Sequence, residues 1–150
     1  MPLTLAALTG FLAAHSTLSL ATVAPDGQPM AVSLFFVADD AAQLFWLSAA
    51  GTRHSRNLAE HPRAAVTVHA ATWRWTEIAG VQIEGTVSVV PPSAAWQAAW
   101  DRYAAKFPFA VDFQAELARS SLYVLAPRWA RLIDNAQGFG HKEELEFPAV

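Results

Sequence analysis

Between Leu47 and Val66 the chain reads Leu-Ser-Ala-Ala-Gly-Thr-Arg-His-Ser-Arg-Asn-Leu-Ala-Glu-His-Pro-Arg-Ala-Ala-Val, and most of its concentrated chemistry lies here. A strand ends near Ser48, a Gly-containing loop presents hydroxyls and a guanidinium, and a helix begins at Arg53 and is stopped by Pro62. Free N–H groups at a helix start and a forked Arg donor converge on an anion, and a phosphate is the natural guest. The same residues also suit a capped surface helix with solvated Arg and His. A second polar stretch, Arg131 to Glu144, is punctuated by Gly138 and Gly140. It reads as a loop whose Phe139, His141 and Lys142 could reach a ring or an anion across an interface, or as a solvated tail.

These segments need elements to hold them. Leu5, Leu8, Phe11 and Leu12 recur at helical spacing, so Leu3 to Ala14 is expected as a short amphipathic helix. Thr17 to Val23 reads as a strand, Ala24-Pro25-Asp26-Gly27 as a tight turn, and Met30 to Val37 as the partner strand. Leu44 to Ser48 and Ala64 to His69 follow as strands. From Val81 to Val90, Val81, Ile83, Gly85, Val87 and Val89 alternate with Gln82, Glu84, Thr86 and Ser88, the pattern of a half-exposed strand. Pro91-Pro92-Ser93 then caps a helix whose Trp96, Trp100, Tyr103 and Phe107 form a packing stripe. Leu122 to Leu125 and Trp129 to Asp134 are expected as two closing strands broken at Pro127. Many short strands with turns between them and few helices predict an antiparallel barrel with helical cover and no alternating βαβ sheet.

Composition narrows the function. The 150 residues make one domain, 53% hydrophobic and 15% charged, with six Trp and nine Phe. So much apolar surface with so little charge suggests that a second subunit covers part of it. A net charge of −3 offers no basic field, so nucleic-acid binding is disfavoured. The absence of cysteine removes disulfides, iron–sulfur clusters, thiolate zinc sites and a Cys nucleophile. There is no Gly-x-Gly-x-x-Gly or Walker-type loop. Without a basic N-terminal start or an apolar run of ~18 residues, the expectation is a soluble cytoplasmic protein with no membrane contact.

The 47–66 run also resembles the corresponding segment of the pyridoxamine 5′-phosphate oxidase-like superfamily, in which a strand, a Ser/Thr-Arg-Lys triplet and a helix ending in Leu-x-x-x-Pro precede another strand. Thr52-Arg53-His54 takes the place of the triplet, with His for Lys, and Leu58 and Pro62 keep the register. Leu18 to Pro29 resembles the family's first hairpin, Met30 to Phe36 the strand that edges the isoalloxazine ring, and Val81 to Val87 its Val-x-x-x-Gly strand. The resemblance implies an antiparallel split β-barrel with peripheral helices that holds FMN at a homodimer interface. Thr52, Arg53 and His54 would hold the phosphate, Ser33, Leu47 and Ser48 would lie along the flavin, and Gln82 would reach its polar edge or phosphate. The implied activity is a flavin-dependent oxidoreductase acting on a small molecule or electron donor. The Arg-x-His arrangement that holds substrate in the family's pyridoxamine phosphate oxidases has no match here. Relatives on this fold also bind deazaflavin, and a non-catalytic flavin or haem module is a further alternative, with His15, His54, His61, His69 and His141 as potential axial ligands.

Overall fold

The alternation read between residues 81 and 90 governs a strand at the centre of the molecule. In the computed structural model, which describes residues 2–149, Ala79–Val89 (β6) buries Val81, Ile83, Gly85 and Val87 and turns Gln82, Thr86 and Ser88 to solvent. One wet face and one dry face are what an antiparallel sheet produces when it curls over a core. The other strands are Thr17–Val23 (β1), Pro29–Phe35 (β2), Val37–Ala38 (β3), Leu44–Ser48 (β4), Arg63–His69 (β5), Ser121–Asp134 (β7) and Lys142–Glu146 (β8). They form one sheet in the order β2–β1–β5–β6–β7–β4–β3, with β8 also pairing on β7. The sheet curls into a split β-barrel with helices at its periphery.

The local signals behave as their chemistry requires. At the first hairpin Gly27 takes φ 91°, while the Ala24 N–H donates to the Gln28 carbonyl at 2.9 Å. Gly is favoured at such a left-handed position because it lacks the Cβ that would clash there. Helix Leu5–Ala13 (α1) starts at Thr4, whose hydroxyl accepts from the Ala7 N–H at 3.1 Å, and it sends Leu8 and Leu12 into the barrel core. Helix Ala94–Lys106 (α3) is capped by Ser93. With Gln114–Ala118 (α4) it covers the outer side of the sheet around Val37, Phe45 and Leu122, where Ala99, Tyr103 and Phe107 are buried in a second cluster.

Two expectations are corrected. The break at Pro127 is a bulge inside a single strand of 14 residues: Glu84 pairs with Trp129 and Gly85 with Pro127, so Arg128 is the extra residue. Proline suits a bulge, where its missing N–H is not needed. The bulge also shifts the strand's phase. Tyr123 and Leu125 point inward before it, and Ala130 and Leu132 after it, which leaves Trp129, Arg131 and Ile133 facing out. The second correction is at the C-terminal end, where residues 142–146 are strand β8, paired from Ile133↔Lys142 to Trp129↔Glu146. A strand with three Glu and one Leu lacks a clear alternation, so periodicity could not find it.

Across the bulge the backbones nearly touch. A Cβ on Gly85 would lie 2.3 Å from the Ala126 carbonyl oxygen and 2.7 Å from Leu125 Cδ2. Gly85→Ala should therefore lower the unfolding free energy by about 2–3 kcal/mol, the cost of overpacking where the neighbour is backbone. Urea denaturation measures this, and a loss below about 0.5 kcal/mol would show that the bulge yields.

Candidate functional site

Helix Arg53–Glu60 (α2) starts one tight turn after β4 ends. The Thr52 N–H donates to the Ala49 carbonyl at 3.2 Å, and the Thr52 carbonyl accepts from the Arg56 N–H at 3.0 Å. The Thr52 hydroxyl caps the helix, accepting from the Ser55 N–H at 3.3 Å and donating to the Ala49 carbonyl at 3.0 Å. His54 Nε2 lies 2.8 Å from Ser48 Oγ and 3.2 Å from Thr52 Oγ1, while Thr52 Oγ1 lies 2.7 Å from Ser55 Oγ. Ser48, His54 and Ser55 are buried, so these side chains satisfy one another, as buried polar groups must. Burial holds the imidazole's pKa below 6.5 and so favours its neutral form.

The other side of α2 is different. Arg53 and Arg56 are exposed, and among the described residues neither has a carboxylate within 4.0 Å, in contrast to Arg74, Arg102, Arg128 and Arg131. A single helix thus turns a neutral knot inward and two unpaired guanidiniums outward. Sequence reasoning missed two residues that hold it. Ser55 closes the knot, and the buried Asn57 donates from Nδ2 to Thr22 Oγ1 on β1 at 3.1 Å. The spacing of His54, Asn57 and Leu58, three and four residues apart on one helix face, was the available signal.

The outward face of the sheet carries the second set. Ser33 pairs with Ser19, Ser19 with Thr67, Thr67 with Gln82, and Gln82 with Arg131, which makes one polar row across five strands. Beside it runs a row of Ala31, Ala21 and Ala65. Such short side chains leave a shallow groove of about 430 Å³, bounded by Trp129 and Arg131. A second hollow of about 420 Å³ shares Thr67 and Gln82 and extends to Ile78, Gly80 and Ile133.

The proposed residues therefore fall into two places. Ser48, Thr52 and His54 meet at the β4–α2 corner, and Arg53 stands beside them facing solvent. Ser33 and Gln82 share the outward face, but three strand spacings separate them, about 14 Å. Leu47 joins neither set. As the strand neighbour of Ser48 it points the opposite way, into the apolar cluster under α3. Near the C-terminus Phe139 is exposed against Trp75, His141 Nε2 lies 3.1 Å from Glu143 Oε2, and Lys142 opens β8. Among the described residues no three His, Asp or Glu side chains cluster as metal ligands, and no helix is long and apolar enough to cross a membrane.

Comparison with known proteins agrees with this architecture. The family described as pyridoxamine 5′-phosphate oxidase matches residues 5–134. A UPF0306 protein of Yersinia pseudotuberculosis is 33% identical over 111 residues, covering 73% of this chain and 71% of that protein. Among solved structures, the heme storage protein HutZ of Vibrio cholerae superposes with a TM-score of 0.70 at 24% identity, over 85% of this chain and 91% of that one. A pyridoxamine 5′-phosphate oxidase-related, FMN binding protein of Nostoc punctiforme superposes with a TM-score of 0.60 at 14% identity, over 89% and 87%.

The buried imidazole has a consequence for stability. Its folded pKa lies below the unfolded 6.5, so the unfolded chain takes up the proton first as pH falls. The stability linked to His54 is complete above about pH 6.5 and drains away as pH drops through the lowered folded value. His54→Gln, which keeps a polar partner for Ser48, should flatten the stability profile between about pH 7 and pH 5 in urea titrations. Parallel profiles for the two proteins would show that the folded imidazole titrates normally.

Proposed function

The chain belongs to the pyridoxamine 5′-phosphate oxidase family, and on that footing we propose that it is an FMN-dependent oxidoreductase that works as a homodimer. The observation that carries this reading is the start of α2, where Arg53 and Arg56 face solvent without a counter-charge. A phosphate ester supplies the missing charge. The donor set fits it: a forked guanidinium, and the first-turn N–H groups of Arg53 and His54, which have no intrahelical partner. The flavin ring needs a flat surface with hydrogen-bonding groups at its margin, and the outward groove has an alanine floor beside Ser19, Thr67 and Gln82. Bound FMN would supply the electron or hydride transfer. Arg53 and Thr52 would hold its phosphate, and the neutral Ser48–His54 pair would fix the loop that carries them. Gln82 would meet the ring, and Ser33, three strand spacings away on the same face, would lie beyond its edge.

The separation of the two locations supports the homodimer. Ser48 and His54 lie inward at the end of β4, whereas Gln82 faces outward on β6. A ligand whose phosphate meets Arg53 beside that buried pair and whose ring meets Gln82 is best served by two copies, one giving its α2 corner and the other its outward face. A twofold arrangement makes two equivalent sites. Haem is a second reading, supported by the resemblance to HutZ and by His69, which lines the outward hollow with an exposed ring. The absorption spectrum of the purified protein separates flavin from haem.

FMN should raise the melting temperature more than riboflavin does, because only the phosphorylated form engages the α2 corner. Arg53→Ala should weaken FMN binding by about 1.5–3 kcal/mol, the value of a charge-assisted hydrogen bond, and Arg56→Ala by less. Calorimetric titration giving the reverse order would displace the phosphate from Thr52-Arg53-His54. Light scattering should report a dimer; a monomer that binds FMN at full stoichiometry would refute the shared site.

A further inference from the structure

A cavity of about 290 Å³ lies between α2, the end of β6 and the start of β7. It shares no lining residue with the groove or the hollow on the outward face. Ser55, Leu58 and Ala59, three and four residues apart on one stripe of α2, form one side of it. The Pro62 carbonyl, just past that helix, accepts from the Val87 N–H at 2.8 Å and ties the helix end to β6. The space stays open because Ser55 and Ala59, one turn apart, both carry small side chains.

Tyr123 closes the other side. It is 5% exposed, and its ring stacks on Trp46 in the core with centroids 6.1 Å apart, a place that a phenylalanine ring would fill equally well. Its hydroxyl takes part in no hydrogen bond among the described residues, yet it is not sealed in as the Trp46 indole nitrogen is, so it opens into the cavity that Tyr123 lines. A donor set so deep costs stability unless something accepts from it. Ser55 already commits its hydroxyl to Thr52, at 2.7 Å, and Ser88 is solvated at the rim. The rest of the lining is apolar, and no Asp, Glu, Lys, Arg or His belongs to it; Glu60, His61 and Arg63 are exposed outside. A charged guest would lose water without gaining a counter-charge. Nothing but hydroxyls could take a proton from the guest, so a group that accepts without donating suits the site, and a carbonyl is such a group.

We propose that this cavity binds a small uncharged carbonyl compound of up to about ten non-hydrogen atoms, at ~30 Å³ each, whose oxygen accepts from the Tyr123 hydroxyl while its apolar body lies against Leu58 and Val87. The site uses none of the residues assigned to the flavin. The test titrates three probes into the ¹⁵N-labelled full chain, with and without FMN: cyclohexanone, methylenecyclohexane of the same shape without an acceptor, and cyclohexanecarboxylate. Cyclohexanone should shift the amide signals of Leu58, Ala59 and Val87 saturably in both forms, and the carboxylate should bind at least about tenfold more weakly. Tyr123→Phe should weaken cyclohexanone about tenfold, leave methylenecyclohexane unchanged, and keep or raise the urea midpoint, since the lost hydroxyl had no partner in the fold. Ala59→Leu, an exposed helix position on the cavity's lining, should fill the space and weaken both neutral probes at least about tenfold. The proposal is overturned if cyclohexanone gives no saturable shift, which leaves the cavity to water, or if the carboxylate binds as well. It is also overturned if Tyr123→Phe costs both neutral probes equally or lowers the urea midpoint, which would give the hydroxyl a structural role. One-for-one displacement of cyclohexanone by FMN would overturn it too, by making the cavity part of the flavin site.

Discussion

A missing methyl group at Gly85 lets the backbone of β7 come close enough to bulge, and the two faces of the sheet depend on that approach. β7 is the longest strand, pairing with β6 along its length, with β4 at its start and with β8 at its end. Without the extra residue, strict alternation from Leu125 would send Trp129 and Arg131 into the core and Ala130 and Leu132 into water. With it, the first half of the strand turns Leu122 and Val124 outward under α3, and the second half turns Trp129 and Arg131 outward beside the groove. One strand therefore serves a helix-covered region and an open one without changing direction. β8 inherits the same phase, since Leu145, opposite Ala130, packs on the core while Glu144 meets Arg131.

Where chemistry is local, the sequence was readable. The first hairpin follows from Pro-Asp-Gly, α2 begins at the expected Arg53 and ends before Pro62, and the faces of β6 follow its alternation. Where the determinant lies on another strand, it was not. Pro127 ends a strand in isolation and ends nothing when Gly85 stands across from it. Leu47 and Ser48 illustrate a subtler limit. A family motif assigns both to one ligand, yet adjacent residues of a strand point to opposite faces, so only packing decides which one stays near the site. Ser48 remained with His54, and Leu47 went under α3.

The low charge content makes the distribution of cations informative. The ion pairs are partly or wholly solvated, as in Arg128–Glu84 across the bulge and Arg131–Glu144 across β7 and β8, and such pairs add little stability. Their effect is to neutralise one flank of the outward face. At Glu144 the Arg131 hydrogen bond holds the carboxyl below its ordinary value, so that pair stays ionised. Around α2 the pattern reverses: Arg53, Arg56 and Arg63 are exposed and unpaired among the described residues. A sheet flank with its charges matched and a helix with its charges unmatched have different affinities for an anion, and this contrast would not be visible in a net charge of −3.

His54 stands where the motif it resembles has a lysine, and the difference changes more than one contact. A lysine at that position would carry its charge at any physiological pH and would have to reach solvent or a ligand to keep it. Histidine can give up its proton, so it can be buried, and here it is, satisfied by Ser48 and Thr52. The corner thereby loses a cation and gains rigidity: the loop hydroxyls are committed to the protein, and what remains free to meet an anion is the guanidinium of Arg53 and the open N–H groups of the first turn. Shared architecture does not choose among the flavin and haem groups named for proteins of this shape, because the fold supplies only a curved sheet with a flat outward face. The choice rests with a few side chains at the margin of that face. In this chain that face carries Thr67, Gln82 and Arg131 on its strands, while the unpaired Arg53 and Arg56 stand apart from it on α2.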